Sequence, residues 1–191
     1  MMIQAGARYT YDNDADFYDV RYYIIHEDYN KSMAFACDVA LIFVDQAIRF
    51  GNKSKKALIV DSNEWMKIGE RNFVVTGWGW TKYPGGPVSQ LGLMMTQLQF
   101  VSTEDCNRFH RMNLTEDMFC LYGDGVRDSC KGDSGGGVLW NGMIVGIVSH
   151  GAGCAKKNKP SVYSNVWYFK KWIETKVNQF VVNYCTHHNM T

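Results

Sequence analysis

The stretch Cys130-Lys131-Gly132-Asp133-Ser134-Gly135-Gly136-Gly137 carries more chemistry than any other in the 191 residues. A serine set among glycines lets backbone approach a substrate closely, because glycine removes the side chains that would block it. A serine hydroxyl is a weak nucleophile at neutral pH, so it needs a neighbouring base and donors for the oxyanion that develops. The amides of Gly132 and Ser134 are placed to be those donors. The same letters satisfy G-x-S-x-G, a strand-to-helix elbow found in parallel α/β sheets. That elbow requires an acid and then a histidine after the serine, yet no Asp follows Ser134 and the only later Glu is Glu174. The flanks also lack the alternating long helices of a parallel sheet, and that reading is rejected.

Working outward, the flanks read as short strands rich in β-branched and aromatic residues, separated by Gly, Asn, Asp and Ser clusters. They are residues 20–25, 39–44, 73–77, 94–101, 137–140, 144–149 and 161–165. Two segments read as helix. The first is 103–109, with Thr103 as cap and Glu104 and Asp105 suited to the first turn. The second is 168–180, where Phe169, Trp172, Ile173, Val177 and Phe180 form one apolar stripe. The polar stretch 49–56 and the region up to residue 72 read as a connection between two β units.

Composition excludes several classes. The chain is 46% hydrophobic and 14% aromatic, enough for a sizeable core. Twenty Lys and Arg against nineteen Asp and Glu leave a net charge of +1, which argues against nucleic acid or a charged membrane surface as partner. No apolar run reaches the roughly 18–20 residues of a membrane helix. The 18 Gly and 3 Pro suit many short strands with glycine turns. Six cysteines without a CxxC pair fit disulfides better than zinc. Four N-x-[ST] triplets, at Asn30, Asn52, Asn113 and Asn189, fit a glycosylated, secreted chain. The opening MMIQAGARYT has no basic n-region and no apolar h-region, so no signal peptide is read in it.

Six motifs in order, over nearly the whole chain, resemble the chymotrypsin/trypsin family of serine proteases. Cys37-Asp38-Val39-Ala40-Leu41-Ile42 is similar to the motif around the family's catalytic aspartate, and Gly77-Trp78-Gly79 to its landmark at the start of the second barrel. Cys120-Leu121-Tyr122 precedes the serine loop, Ser149-His150-Gly151 matches the strand that pairs with substrate, and Val162-Tyr163 with Trp172-Ile173 completes the pattern. The resemblance implies an all-β fold of two antiparallel six-stranded β-barrels, the first incomplete, with a C-terminal α-helix. The expected units are 1–65 (incomplete first barrel and connection), 66–166 (second barrel with nucleophile and pocket) and 167–191 (helix and extension).

The same resemblance assigns roles. Ser134 is the nucleophile, Asp38 the carboxylate that supports the base, and the amides of Gly132 and Ser134 the oxyanion hole. Asp128 falls at the base of the specificity pocket, where a carboxylate attracts Lys or Arg. Ser129, Ser149, Gly151, Gly153 and Ser161 are expected to contact substrate, and Asp133 to have a structural role. The implied disulfides are Cys106–Cys120 and Cys130–Cys154; parity alone then favours Cys37–Cys185. Implied partners are protein or peptide substrates and protein protease inhibitors; a monomer without cofactor or metal is expected. Three departures stand out. Ser161 replaces a glycine usual on the pocket wall and should narrow the pocket. His150 replaces a tryptophan and is read as a surface-cleft residue. The acidic Asp12, Asp14 and Asp16 do not match the calcium loop, because Ala7 and Arg8 occupy its start.

The family's catalytic histidine, in its Ala-Ala-His-Cys context, does not occur before Asp38. His26 matches a non-catalytic position; His110, His187 and His188 match none. The Ile-Val-Gly-Gly start whose amino group pairs with the acid at position 133 is also missing, so Asp133 is expected to need another partner, with the oxyanion hole unformed. Two expectations follow: a truncated, inactive and poorly folded piece of a trypsin-like endopeptidase, or a non-catalytic homologue that binds or regulates partners.

Overall fold

A computed structural model describes residues 1–67, 69–86 and 92–188, the last four without their side chains. The chain runs β1 (Met2–Ala5), β2 (Asp16–Ile25), β3 (Ala40–Val44), β4 (Leu58–Ile59), β5 (Phe73–Gly77), β6 (Met94–Val101), α1 (Thr103–His110), β7 (Met118–Tyr122), β8 (Gly137–Trp140), β9 (Met143–His150), β10 (Ser161–Asn165) and α2 (Val166–His188). Two sheets result. One has the order β1-β2-β3, and the other β10-β7-β6-β5-β8-β9-β4. In the second, β10 also pairs with β9, which closes six antiparallel strands into a barrel; β4 adds to β9 in parallel from outside.

The barrel closes because its strands place large apolar side chains inward at alternate positions. Phe73 and Val75 from β5, Leu98 and Phe100 from β6, Val138, Val145 and Tyr163 share one buried cluster. Trp65, from the connection before β5, is fully buried in it, its ring edge-on to Phe119 at a centroid distance of 4.7 Å. The three-stranded sheet is less complete. Of the ten residues of β2 only Tyr18 is buried, while Tyr22 and Tyr23 stay 52% and 57% exposed, and β1 and β3 leave open edges.

Both helices are capped by polar side chains that satisfy orphan amides of the first turn. At α1 the cap is Ser102, one residue earlier than the Thr103 expected: its hydroxyl accepts the Asp105 N–H at 3.1 Å. At α2 the Asn165 side-chain Oδ1 accepts the N–H groups of Trp167 and Tyr168, at 3.1 and 3.4 Å. The second helix spans the two sheets. Phe169 is buried, and farther along Phe180 stacks on Phe43 of β3 at 3.9 Å. Trp172 donates its indole N–H to Glu27 at 2.8 Å, and Lys176 pairs with the same carboxylate. Among the described residues no helix is long and apolar enough to cross a membrane.

Candidate active site

The serine loop lies between β7 and β8. Gly132 takes a φ of +98° and Gly135 one of +82°, conformations that a side chain would strain. The N–H groups of Asp133, Gly135 and Gly136 are spent on Cys130, Val148 and Asp133 carbonyls. Those of Gly132 and Ser134 have no acceptor among the described residues, and Ser134 is exposed. Two unspent amides thus flank Asp133 in this loop.

Asp133 takes its partners from the backbone. Its Oδ1 accepts the Gly79 N–H and its Oδ2 the Cys130 N–H, each at 2.8 Å. This explains the Gly77-Trp78-Gly79 motif physically. A Cβ on Gly77 would sit 1.9 Å from Asp133 Oδ1, and one on Gly79 2.5 Å from its Cγ. The two glycines make room for the carboxylate, and the amide of the second receives it.

Asp38 sits just before β3 but is held by the barrel. The Ser149 hydroxyl donates to its Oδ2 at 2.6 Å, and the Ser164 hydroxyl to its carbonyl at 2.7 Å. The neighbouring Cys37 N–H donates to the buried Asp117 carboxylate at 2.7 Å. His150 packs beside these groups. Its ring is half-buried, stacks on Phe35 at 4.4 Å, and places Nδ1 3.1 Å from Ser149 Oγ, while Nε2 is buried without a partner among the described residues. Burial, and then the charge of His110, lower its pKa against the opposing pull of Asp38. No histidine hydrogen-bonds to Ser134 among the described residues: His26 packs on Trp172 and Phe169, and His110 Nε2 meets the Pro160 carbonyl at 2.7 Å.

Asp128 lines a cavity of about 670 Å³ together with Gly77, Cys130, Asp133, Cys154 and Ala155. Its carboxylate accepts the N–H of Ser129, the N–H of Ala155 and the hydroxyl of Ser161, each at 2.9 Å. Burial pushes its pKa up, against the lowering effect of those bonds. Ser129 shares a hydrogen bond with the buried Tyr163 hydroxyl at 2.9 Å. Ser134, Ser149, Gly151, Gly153 and Ser161 do not line this cavity. Gly151 lies beside Ser161, whose Oγ is 3.1 Å from where its Cβ would be; the Lys156 chain crosses Gly153 at 2.7 Å in the same sense.

Disulfides join Cys106 to Cys120 and Cys130 to Cys154. Cys37 is a free thiol, its pKa raised by burial and by Asp117 and Asp28. The side chain of Cys185, the other half of the Cys37–Cys185 expectation, lies outside the described residues, as does the Asn189 triplet. The Asp12 carboxylate is taken up by the N–H groups of Arg8, Tyr9 and Asp14. Sequence reasoning missed Ser164, Asp117 and Phe35. No local pattern marks them, because their partners lie far away in the chain or across a loop.

The family profile described as Trypsin matches residues 1–173. The chain is 36% identical over 156 residues to trypsin eta of Drosophila erecta, a match covering 81% of this chain and 59% of that protein. It is 40% identical over 105 residues to trypsin of Sus scrofa, covering 54% and 45%. The structure of neuropsin, a serine protease expressed in the limbic system of mouse brain, superposes with a TM-score of 0.84 at 27% identity, over 92% of this chain and 78% of that one. The chain thus spans less than two thirds of the length of its trypsin eta relatives. With the profile running over residues 1–173, the chain belongs to the trypsin family of serine proteases.

Proposed function

We propose that these residues form the nucleophile-bearing part of a secreted serine endopeptidase that cleaves after Lys or Arg through an acyl-enzyme. The observation that carries this reading is Asp128, a half-buried carboxylate lining a cavity braced by Cys130–Cys154, a few residues before an exposed Ser134 flanked by unspent amides. In this reading Ser134 Oγ attacks the scissile carbonyl and the amides of Gly132 and Ser134 take up the oxyanion. A histidine that the described residues do not bring to Ser134 serves as base, and Asp38, held by Ser149, orients it and supports its charge. Asp128 neutralises the substrate cation, which interacts strongly with a carboxylate withdrawn from water. Ser129 and Ser161 adjoin Asp128 without lining the cavity, Ser129 through its N–H and Ser161 through its hydroxyl. Protein substrates and protein inhibitors are the partners of this chemistry.

The 191 residues by themselves are therefore expected to turn over no substrate, and a fluorophosphonate should leave Ser134 unlabelled. The absence, among the described residues, of a histidine bonded to Ser134 also favours a second reading, a non-catalytic homologue that binds partners. The test is to express the longest natural form of the protein and assay peptide anilides with Lys, Arg, Leu or Ala at the cleaved position. Cleavage after Lys and Arg, lost in Ser134→Ala, is the expected result. Cleavage after Leu or Ala alone removes the assigned specificity. No cleavage and no labelling in that form leaves the binding reading.

A further inference from the structure

Asp128 has few acceptor positions left. Its Oδ1 takes the Ser129 N–H, while its Oδ2 takes both the Ala155 N–H and the Ser161 hydroxyl, each at 2.9 Å. A carboxylate oxygen offers about two lone-pair directions. Oδ2 is therefore filled by the protein itself, and one direction on Oδ1 remains. A guanidinium binds a carboxylate best as a fork, with parallel N–H donations to both oxygens. An ammonium is a compact point charge with three rotatable donors and needs no matched pair of acceptors.

We infer that Ser161 makes this site select lysine over arginine, because its hydroxyl occupies the second carboxylate oxygen that an arginine fork requires. The inference rests on the reading of Asp128 as the receptor of a cationic side chain. The hydroxyl is held in place: Ser161 is 5% exposed in β10, and its Oγ lies 3.1 Å from the position a Gly151 Cβ would take. Ser129, the other hydroxyl next to Asp128, is engaged with Tyr163 and does not compete for Oδ2.

The test is calorimetric titration of the full chain with N-acetyl-lysine amide and N-acetyl-arginine amide, which needs no turnover. The lysine amide is expected to bind about tenfold tighter, the worth of roughly one charge-assisted hydrogen bond. Ser161→Ala keeps the Cβ and frees Oδ2, and Ser161→Gly also removes the bulk. Both should bring the arginine amide level with the lysine amide or ahead of it. Equal or tighter arginine binding in the unaltered chain overturns the inference, and so does a ratio that neither variant moves. The underlying reading fails in a different way: neither amide binds, or binding survives Asp128→Asn.

Discussion

At the scale of single residues, the serine loop depends on atoms that are absent. The Asp133 carboxylate fits only because Gly77 and Gly79 lack a Cβ, and the closer clash, 1.9 Å at Gly77, is with the oxygen that accepts the Gly79 amide. Gly77→Ala should therefore expel the carboxylate from its two amide donors. The expected cost is about 3 kcal/mol, from overpacking and from lost charged hydrogen bonds, measured by urea denaturation. A loss below about 1 kcal/mol would mean that the loop relaxes around the methyl group. Ser134, Asp38 and Asp128 were legible in the sequence because each sits inside a contiguous motif. The groups that hold Asp38 were not. Ser164 and Ser149 reach it across 126 and 111 residues, and nothing beside either serine announces the partner. The partners of Asp133 were hidden for another reason, since backbone amides have no sequence signature.

At the scale of elements, α2 is the tie between the sheets. Glu27, just after β2, receives the Trp172 indole and the Lys176 ammonium, and these hold its carboxyl at about 2, well below the usual 4.5. A carboxyl whose folded pKa is depressed adds stability above its unfolded pKa and loses it as pH falls through the folded one. Docking of α2 onto the first sheet should thus weaken progressively between about pH 4.5 and 2. Amide exchange in residues 172–180 should quicken over that window, and Glu27→Gln should remove the dependence; the same acid response in the variant would assign it to another group. The sequence marked β5, β6, β8 and β10 at their observed bounds, because each alternates or lies between clear turn residues. It missed β1, and it missed β7, which is buried from Met118 to Leu121 and so shows no alternation, and β4, two residues made into strand only by pairing with β9. It also stopped α2 eight residues early, where the apolar stripe ends but no residue breaks the helix.

At the scale of the whole molecule, the two sheets differ in kind. The barrel has no free seam, since β9 and β10 pair, whereas the three-stranded sheet ends in unpaired strands on both sides. Closed pairing opens only when the unit unfolds, while free edges open locally. The amides of β5, β9 and β10 should exchange together as the slowest set, with those of β1 and β3 faster by at least about tenfold. One common rate for both sheets would mean that α2 couples them into a single unit. The grip on Asp38 belongs to this picture. By its place in the chain the aspartate travels with the first sheet, yet Ser149 and Ser164 are barrel residues and Asp117, which holds Cys37, sits in the turn that leads into β7. A cut in the exposed connection around residues 50–53 would therefore not release two independent pieces. The nicked molecule would stay together as a non-covalent pair, its aspartate still lodged against the larger piece.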